Sequence, residues 1–545
     1  MKHKMLVSGV TLLSAVLVLG ACGSSGDKKG SKEKKSVEID LSDRYELDPS
    51  TPAWQLDKKE EVTELTWYVN ADWWNDEWGK DVVTKQIEKD LNVKIKFIKG
   101  DDTNLNTMFS SNDMADIVTV FDSNSQVARK ADSWAYSLDD LAEKYDPYWN
   151  EVAAEDTMNW FQLSDGKTYG YPDYSNTADD YESGLIPANT NFLIRKDVYE
   201  ALGEPDFGKP DEFLQTLNDI KEKYPDLIPF GFNAFGDSAG SLGDVFQDFL
   251  GVDLETTDGE FYNRNLDEEY LSWLKTLRQA HEDGNISDDS FSDDGTAFEE
   301  KVKSGQYATI MAGGTAQMSG FMQSWLTQDK EAQYIGIDGP QSSQGNEPKL
   351  NQSGITGWMI NYISKTCKEP AKAMQLFTYL QSEYGGVLTT FGVEGETFQY
   401  DNEGKIELLP EVQKIKDDEA DRYKKEYRLS EFIFFGHDKY QGMASESMQT
   451  PALIQPREWG EGKLYPHFIL ENISPDPGTQ EARNLTAIDT NWYTTLVSLI
   501  RSDSEEEFDQ TVEAYKNFLD ENGWQDIVTI RNEKMQENKE KLGIE

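Results

Sequence analysis

ELTWYVN at residues 64–70, VKIKFI at 93–98 and DIVTVF at 116–121 are three short runs rich in β-branched and aromatic residues. The first alternates polar and apolar side chains, and each predicts a strand. Between them, residues 80–91 and 103–111 carry apolar side chains at helical spacing. A strand-helix-strand-helix-strand rhythm predicts a parallel sheet covered by helices. In open sheets of this kind, ligands sit beyond the carboxyl ends of the strands. Those ends read Asn70-Ala71-Asp72-Trp73-Trp74 and Asp122-Ser123-Asn124.

The rhythm recurs. Residues 191–195, 228–232, 307–311 and 357–364 read as strands, and 210–224, 267–283, 298–304 and 370–382 as helices. From about Asn491 the apolar spacing is helical. Repetition of one α/β pattern over a chain of this length points to two lobes of similar build.

The N-terminus carries a separate signal. Lys2 and Lys4 precede an apolar run from Met5 to Leu19, followed by Leu19-Gly20-Ala21-Cys22. A charged start, a short apolar stretch and small residues before a cleavage point describe a secretory signal peptide over 1–21, too short for a stable membrane span. The Leu-Gly-Ala-Cys pattern resembles the bacterial lipobox, which implies acylation of Cys22, cleavage before it and a palmitoyl-type anchor. Residues 22–59 are read as the lipid-anchored tether; its first part, GSSGDKKGSKEKKSV at 23–37, is Gly-, Ser- and Lys-rich with no apolar period. The expected location is the extracellular face of the cell membrane.

The formal net charge is −49; removing 1–21 takes two lysines with it and leaves −51. Such a surface argues against nucleic acid as a partner and favours a neutral ligand over an anion. The second cysteine, Cys367, has no partner once Cys22 is acylated, so no disulfide framework is expected. The four histidines, His3, His281, His437 and His467, lack the spacing of a metal-binding motif. There is no G-x-S-x-G elbow and no phosphate loop. No catalytic residue, metal or cofactor is expected.

Several blocks, in order along the mature chain, resemble the extracellular solute-binding lipoproteins of ABC sugar importers, specifically the large Gram-positive branch. They are FSSNDMAD (109–116), GKTYGYP (166–172), FLIRKDVYEALG (192–203), PDEF (210–213), FEEKVKSG (298–305), ISKTCKEPA (363–371) and FGVEGETFQY (391–400). The resemblance implies an α/β, two-lobed periplasmic-binding-protein-like fold of type II, with hinged lobes and a discontinuous chain. By analogy lobe 1 takes 60–145 and 335–400, and lobe 2 takes 146–334 and 401–545. It implies a monomer that binds an oligosaccharide between the lobes and delivers it to ABC permease subunits. A receptor for a peptide or other nutrient, a surface glycan-active enzyme and an adhesion or sensory lipoprotein stay open as alternatives.

Sugars present apolar faces that stack on aromatic rings, and hydroxyls that pair with Asp, Asn and Gln. Of fourteen tryptophans, Trp67 and Trp273 read as packing. Trp73 and Trp74 are adjacent at a strand end, so at least one faces the cleft. Trp358, on an apolar strand near the inter-lobe crossing, suits core and cleft equally. Asp72, Asp122 and Asn124 follow the first and third strands and are either ligand contacts or helix caps. Asn233 and Phe235 follow a second-lobe strand, and Gln317 follows Gly313-Gly314; they complete the expected ligand-binding set.

Many members of the resembled family carry an acidic calcium loop after the P-D-E-F helix. Here that place reads EKYPDLI at 222–228 and lacks the closely spaced oxygens that Ca²⁺ needs. The acidic stretch 283–294 could bind a cation but is read as a solvated face. Treatment with a chelator is therefore expected to leave the melting temperature unchanged. A large drop reversed by Ca²⁺ would contradict this.

Overall fold

Local chemistry sets many element boundaries. Asp81 caps the helix Val82–Leu91 by accepting the Thr84 N–H, and Asn92 ends it in the left-handed region. Asp101 and Asn104 form a capping box at the start of Asp102–Ser111. The computed structural model describes residues 38–235 and 239–544. The expected signal sequence and Cys22 lie outside the described residues.

The strands are β1 (Thr63–Val69), β2 (Val93–Lys99), β3 (Ile117–Val120), β4 (Gly170–Pro172), β5 (Thr190–Arg195), β6 (Ile228–Phe232), β7 (Tyr307–Gly313), β8 (Tyr334–Ile337), β9 (Ile360–Ile363), β10 (Phe398–Tyr400) and β11 (Ile406–Leu408). One sheet has the order β2-β1-β3-β9-β4, a second β6-β7-β5-β8, and β10 with β11 forms a hairpin. β1 pairs in parallel with β2 and β3, as does β6 with β7. β9 is antiparallel to β3 and β4, and β5 to β7 and β8. Parallel pairing thus holds for strands joined by crossovers within one lobe. β9 arrives from the other lobe at the end where β3 stops, with Ile360 beside Val120, and so runs back along it.

Each sheet has its own core. Trp67 is fully buried against Phe434 (4.1 Å between ring centroids), and its indole N–H donates to Thr119 Oγ1 (2.8 Å). In the second lobe Phe192, Phe213, Phe230 and Trp273 pack with Ile488, Trp492 and Leu496 of the helix Gln480–Ile500. The helices Glu505–Glu521 and Trp524–Leu542 follow it. No helix among the described residues is long and apolar enough to cross a membrane.

This arrangement corrects the expected lobe boundaries. β4 belongs to the first sheet, although it lies within 146–334, and β8 belongs to the second, although 335–400 was assigned to the first lobe. Residues Phe432, Phe434 and Phe435, within 401–545, fill the first core. The chain passes between the lobes at 173–189, at 338–359, and again between Met448 and the helix Pro451–Gly460, which packs against β8. Three passages, with elements of each lobe contributed from distant stretches, cannot be placed by counting blocks.

Residues 38–59, expected to be part of the tether, fold onto the first lobe instead. Ile39, Leu41 and Trp54 pack against the first core. The Ala53 N–H donates to Asp146 Oδ1 (3.0 Å), and the Tyr45 hydroxyl to the Tyr145 carbonyl (2.8 Å). Asp57 is paired with Arg44 and with Lys372 Nζ (3.1 Å), and accepts from Gln375 Nε2 (3.0 Å). Residues 38–59 carry enough apolar and paired charged side chains to fold onto the lobe.

Candidate ligand-binding site

Register places the site. β1 and β3 run in parallel, and β9 begins beside the end of β3. The residues after β1, after β3 and before β9 therefore share one end of the first sheet. In the second sheet, the ends of β6, β7 and β8 and the start of β5 share one end, since Phe232 pairs with Met311, Gly313 with Thr190 and Phe192 with Ile337. The passages 173–189 and 338–359 join these two ends, so both face the junction of the lobes.

At the first-lobe end lies an aromatic ledge. Trp73 is 60% exposed and Trp358 is 44% exposed. Their ring centroids are 6.3 Å apart and their planes differ by 13°. Phe121, directly after β3, stands edge-on to Trp358 at 5.2 Å and tilted to Trp73 at 6.3 Å. Large indole faces left open to solvent beside one another are unusual for packing residues and suit an apolar ligand face. Asp72 is exposed beside Trp73.

Trp74 is not part of this surface. It is 3% exposed, with its ring against Phe434 (4.5 Å) and the Arg428 guanidinium 5.3 Å from its centroid. Arg428 in turn donates to the carbonyls of Asn75 (2.6 Å) and Glu77 (2.8 Å), pinning the turn after β1. The two adjacent indoles meet edge to face at 6.1 Å between centroids, with Trp73 outermost and Trp74 covered beneath it.

Other expected contacts are engaged, wholly or in part, within the fold. Asn233 donates to the Gly313 carbonyl (3.0 Å) and accepts the Gly313 N–H (3.0 Å), so its amide stitches β6 to β7. Phe235 packs on Phe232 and Phe291 (5.5 and 6.2 Å). Asp122 accepts the Asn124 N–H (2.8 Å) within its own loop, while Ser125 caps the following helix. Asn124 Nδ2 donates to Asn472 Oδ1 (2.9 Å). Gln317 stays exposed near the start of the helix Thr315–Gln328, its Oε1 3.4 Å from Asn189 Nδ2. The structure thus brings Trp73 and Trp358 together, leaves Asp72, Asp122 and Gln317 exposed, holds Asn124 through its Nδ2 alone, and engages Trp74, Asn233 and Phe235 within the fold.

Phe121 was missed by sequence reasoning, although it closes the DIVTVF run and its position at a strand end was the available signal. A cavity of about 840 Å³ also opens near the β10–β11 hairpin, lined by Leu185, Pro187, Asp401, Glu407, Arg457 and Glu461 among others. It shares no lining residue with the ledge and holds no stacked ring pair.

No protein-family model matches the chain, and no curated protein does. Solved structures do. An HMO-binding, ABC-transporter-associated solute-binding protein from Bifidobacterium longum infantis superposes with a TM-score of 0.67 at 16% identity, covering 88% of this chain and 99% of that one. The ABC-transporter substrate-binding protein FusA of S. pneumoniae, in complex with kestose, gives 0.61 at 17% identity with the same coverage. The alginate-binding protein AlgQ2 gives 0.60 at 16% identity, again over 88% and 99% of the two chains. At such identities the likeness speaks to architecture: the chain has the two-lobed α/β, periplasmic-binding-protein-like fold.

Proposed function

We propose that this protein is the substrate-binding lipoprotein of an ABC importer, that it captures a neutral oligosaccharide between its lobes without chemistry, and that it presents the sugar to membrane permeases. The observation that carries the reading is the exposed Trp73–Trp358–Phe121 ledge at the inter-lobe end of the first sheet. Stacked rings take the apolar face of a pyranose, while Asp72 and Gln317 offer polar partners for hydroxyls. The strongly acidic chain disfavours an anionic glycan. The sugar-binding neighbours that share the fold support the same reading.

The test is a glycan-array screen on the soluble domain, followed by calorimetry on the glycan selected and chromatography of the glycan after incubation. Binding with recovery of the unchanged glycan is the expected outcome. Shortened products would indicate a glycan-active enzyme, and an array without a hit would remove the sugar reading.

The proposed anchor makes its own prediction. With Cys22→Ser, the protein is expected in the medium or unprocessed, because no thiol remains to acylate. Normal processing with detergent-requiring membrane retention of that variant would overturn the anchoring.

A further inference from the structure

The ledge rings project from three segments of the chain, after β1, after β3 and before β9, and an exposed ring has little packing of its own to fix it. A loop before the C-terminal helices supplies the support. Both carboxylate oxygens of Glu471 accept backbone N–H groups of the passage leading to Trp358, those of Ile355 (3.0 Å) and Thr356 (2.8 Å). The approach is close enough that a Cβ on Gly354 would stand 1.7 Å from Glu471 Oε1. Asn472, in the left-handed region at φ +57, reaches the loops that carry Phe121 and Trp358. Its Oδ1 accepts from Asn124 Nδ2 (2.9 Å), and its Nδ2 points to Ser123 Oγ (3.4 Å) and Thr356 Oγ1 (3.3 Å). Behind them, buried Asn538 of the helix Trp524–Leu542 donates to the carbonyls of Glu471 (2.7 Å) and Ile469 (3.1 Å). Further along the loop, Asp476 is paired with Arg129, which follows β3, and with Lys534 of the C-terminal helix (2.9 and 3.1 Å).

We propose that Glu471 and Asn472 are positioning residues that set Trp358 against Trp73 and Phe121, and so tie the geometry of the ledge to the C-terminal helix. The proposal rests on the ledge being the ligand-binding surface. Neither residue is among the ring contacts of the ledge, so their effect is transmitted through the backbone at 355–356 and the loop at 123–124. A carboxylate receiving two successive amides fixes both the position and the direction of that backbone. The side-chain amide of Asn472, with a donor and an acceptor, fixes the spacing between the two loops.

The test needs no ligand. In full-length soluble protein labelled with 5-fluorotryptophan, the Trp73 and Trp358 signals are assigned with Trp73→Phe and Trp358→Phe. Asn472→Gly keeps a residue that tolerates positive φ while removing the side chain. Glu471→Gln keeps the shape but sets an amide NH₂ against a backbone donor. Both substitutions are expected to shift the Trp358 resonance while leaving those of buried Trp67 and Trp273 as in the wild type. A Trp358 resonance unchanged in both variants, or a uniform disturbance of all the tryptophans, overturns the proposal. Glycan affinity of Trp358→Ala is measured separately and bears on the ledge reading alone, so the two can fail independently.

Discussion

Trp73→Ala and Trp358→Ala are each expected to weaken binding of the array-selected glycan about tenfold, or about 1.4 kcal/mol, and the double variant about a hundredfold. An aromatic contact contributes on the order of 1 kcal/mol beyond the area it buries, and each ring also loses its apolar contact with the sugar. Both rings are exposed, so the folded state loses little when they are removed. The melting temperature should therefore stay near that of the wild type. Trp74→Ala is expected to do the reverse. It empties a packed site beside Phe434 and Arg428 and should cost about 3–5 kcal/mol of stability, the usual range for deleting a buried aromatic ring. Calorimetry and urea denaturation on the three single variants separate these outcomes. Folded Trp73→Ala and Trp358→Ala proteins that bind as tightly as wild type would show that the ledge is not the binding surface.

Asp57→Ala is expected to lower stability by about 3–5 kcal/mol, since removing one partner of a buried ion pair leaves the others uncompensated. The Asp57 side chain is 2% exposed and Lys372 is 3% exposed. Burial opposes ionisation of Asp57, but the Arg44 hydrogen bond and the Lys372 charge outweigh it and hold the carboxyl well below the usual carboxylate range. A carboxyl depressed in the folded state adds stability that is present above its unfolded value, about 4, and is lost as the pH falls through the folded one. Urea titrations of wild type and Asp57→Ala should therefore converge as the solution is acidified below that value. Equal stability of the two proteins at neutral pH would mean that residues 38–59 are not held to the lobe by this pair.

The alternation in ELTWYVN and the apolar spacing around it correctly placed β1 and its neighbours within a residue or two. Turn and cap signals act over a few residues, so they survive in the one-dimensional pattern. The same pattern put Trp73 and Trp74 at the end of β1, but it could not say which ring lies under the Phe432–Phe434 segment, because that segment comes from far along the chain. Asn233 illustrates a further limit. Its position after β6 suited a ligand contact, yet the next strand in space, β7, presents a backbone amide and carbonyl at the right separation and takes both ends of the side chain.

The short strands β4, β8, β10 and β11 were not legible from the residues alone, whereas the longer strands and helices, the repeated α/β build and the positions of the strand ends were. These follow from side-chain periodicity, turn chemistry and chain direction, which are local. It took the folded chain to show which stretches share a lobe, that residues 38–59 pack on the first core, and that Trp358 and Phe121 join Trp73 while Trp74 is covered. Each of these outcomes depends on surfaces brought together by the three passages between lobes. Burial of a given ring is settled by whatever segment covers it, and no local pattern encodes that.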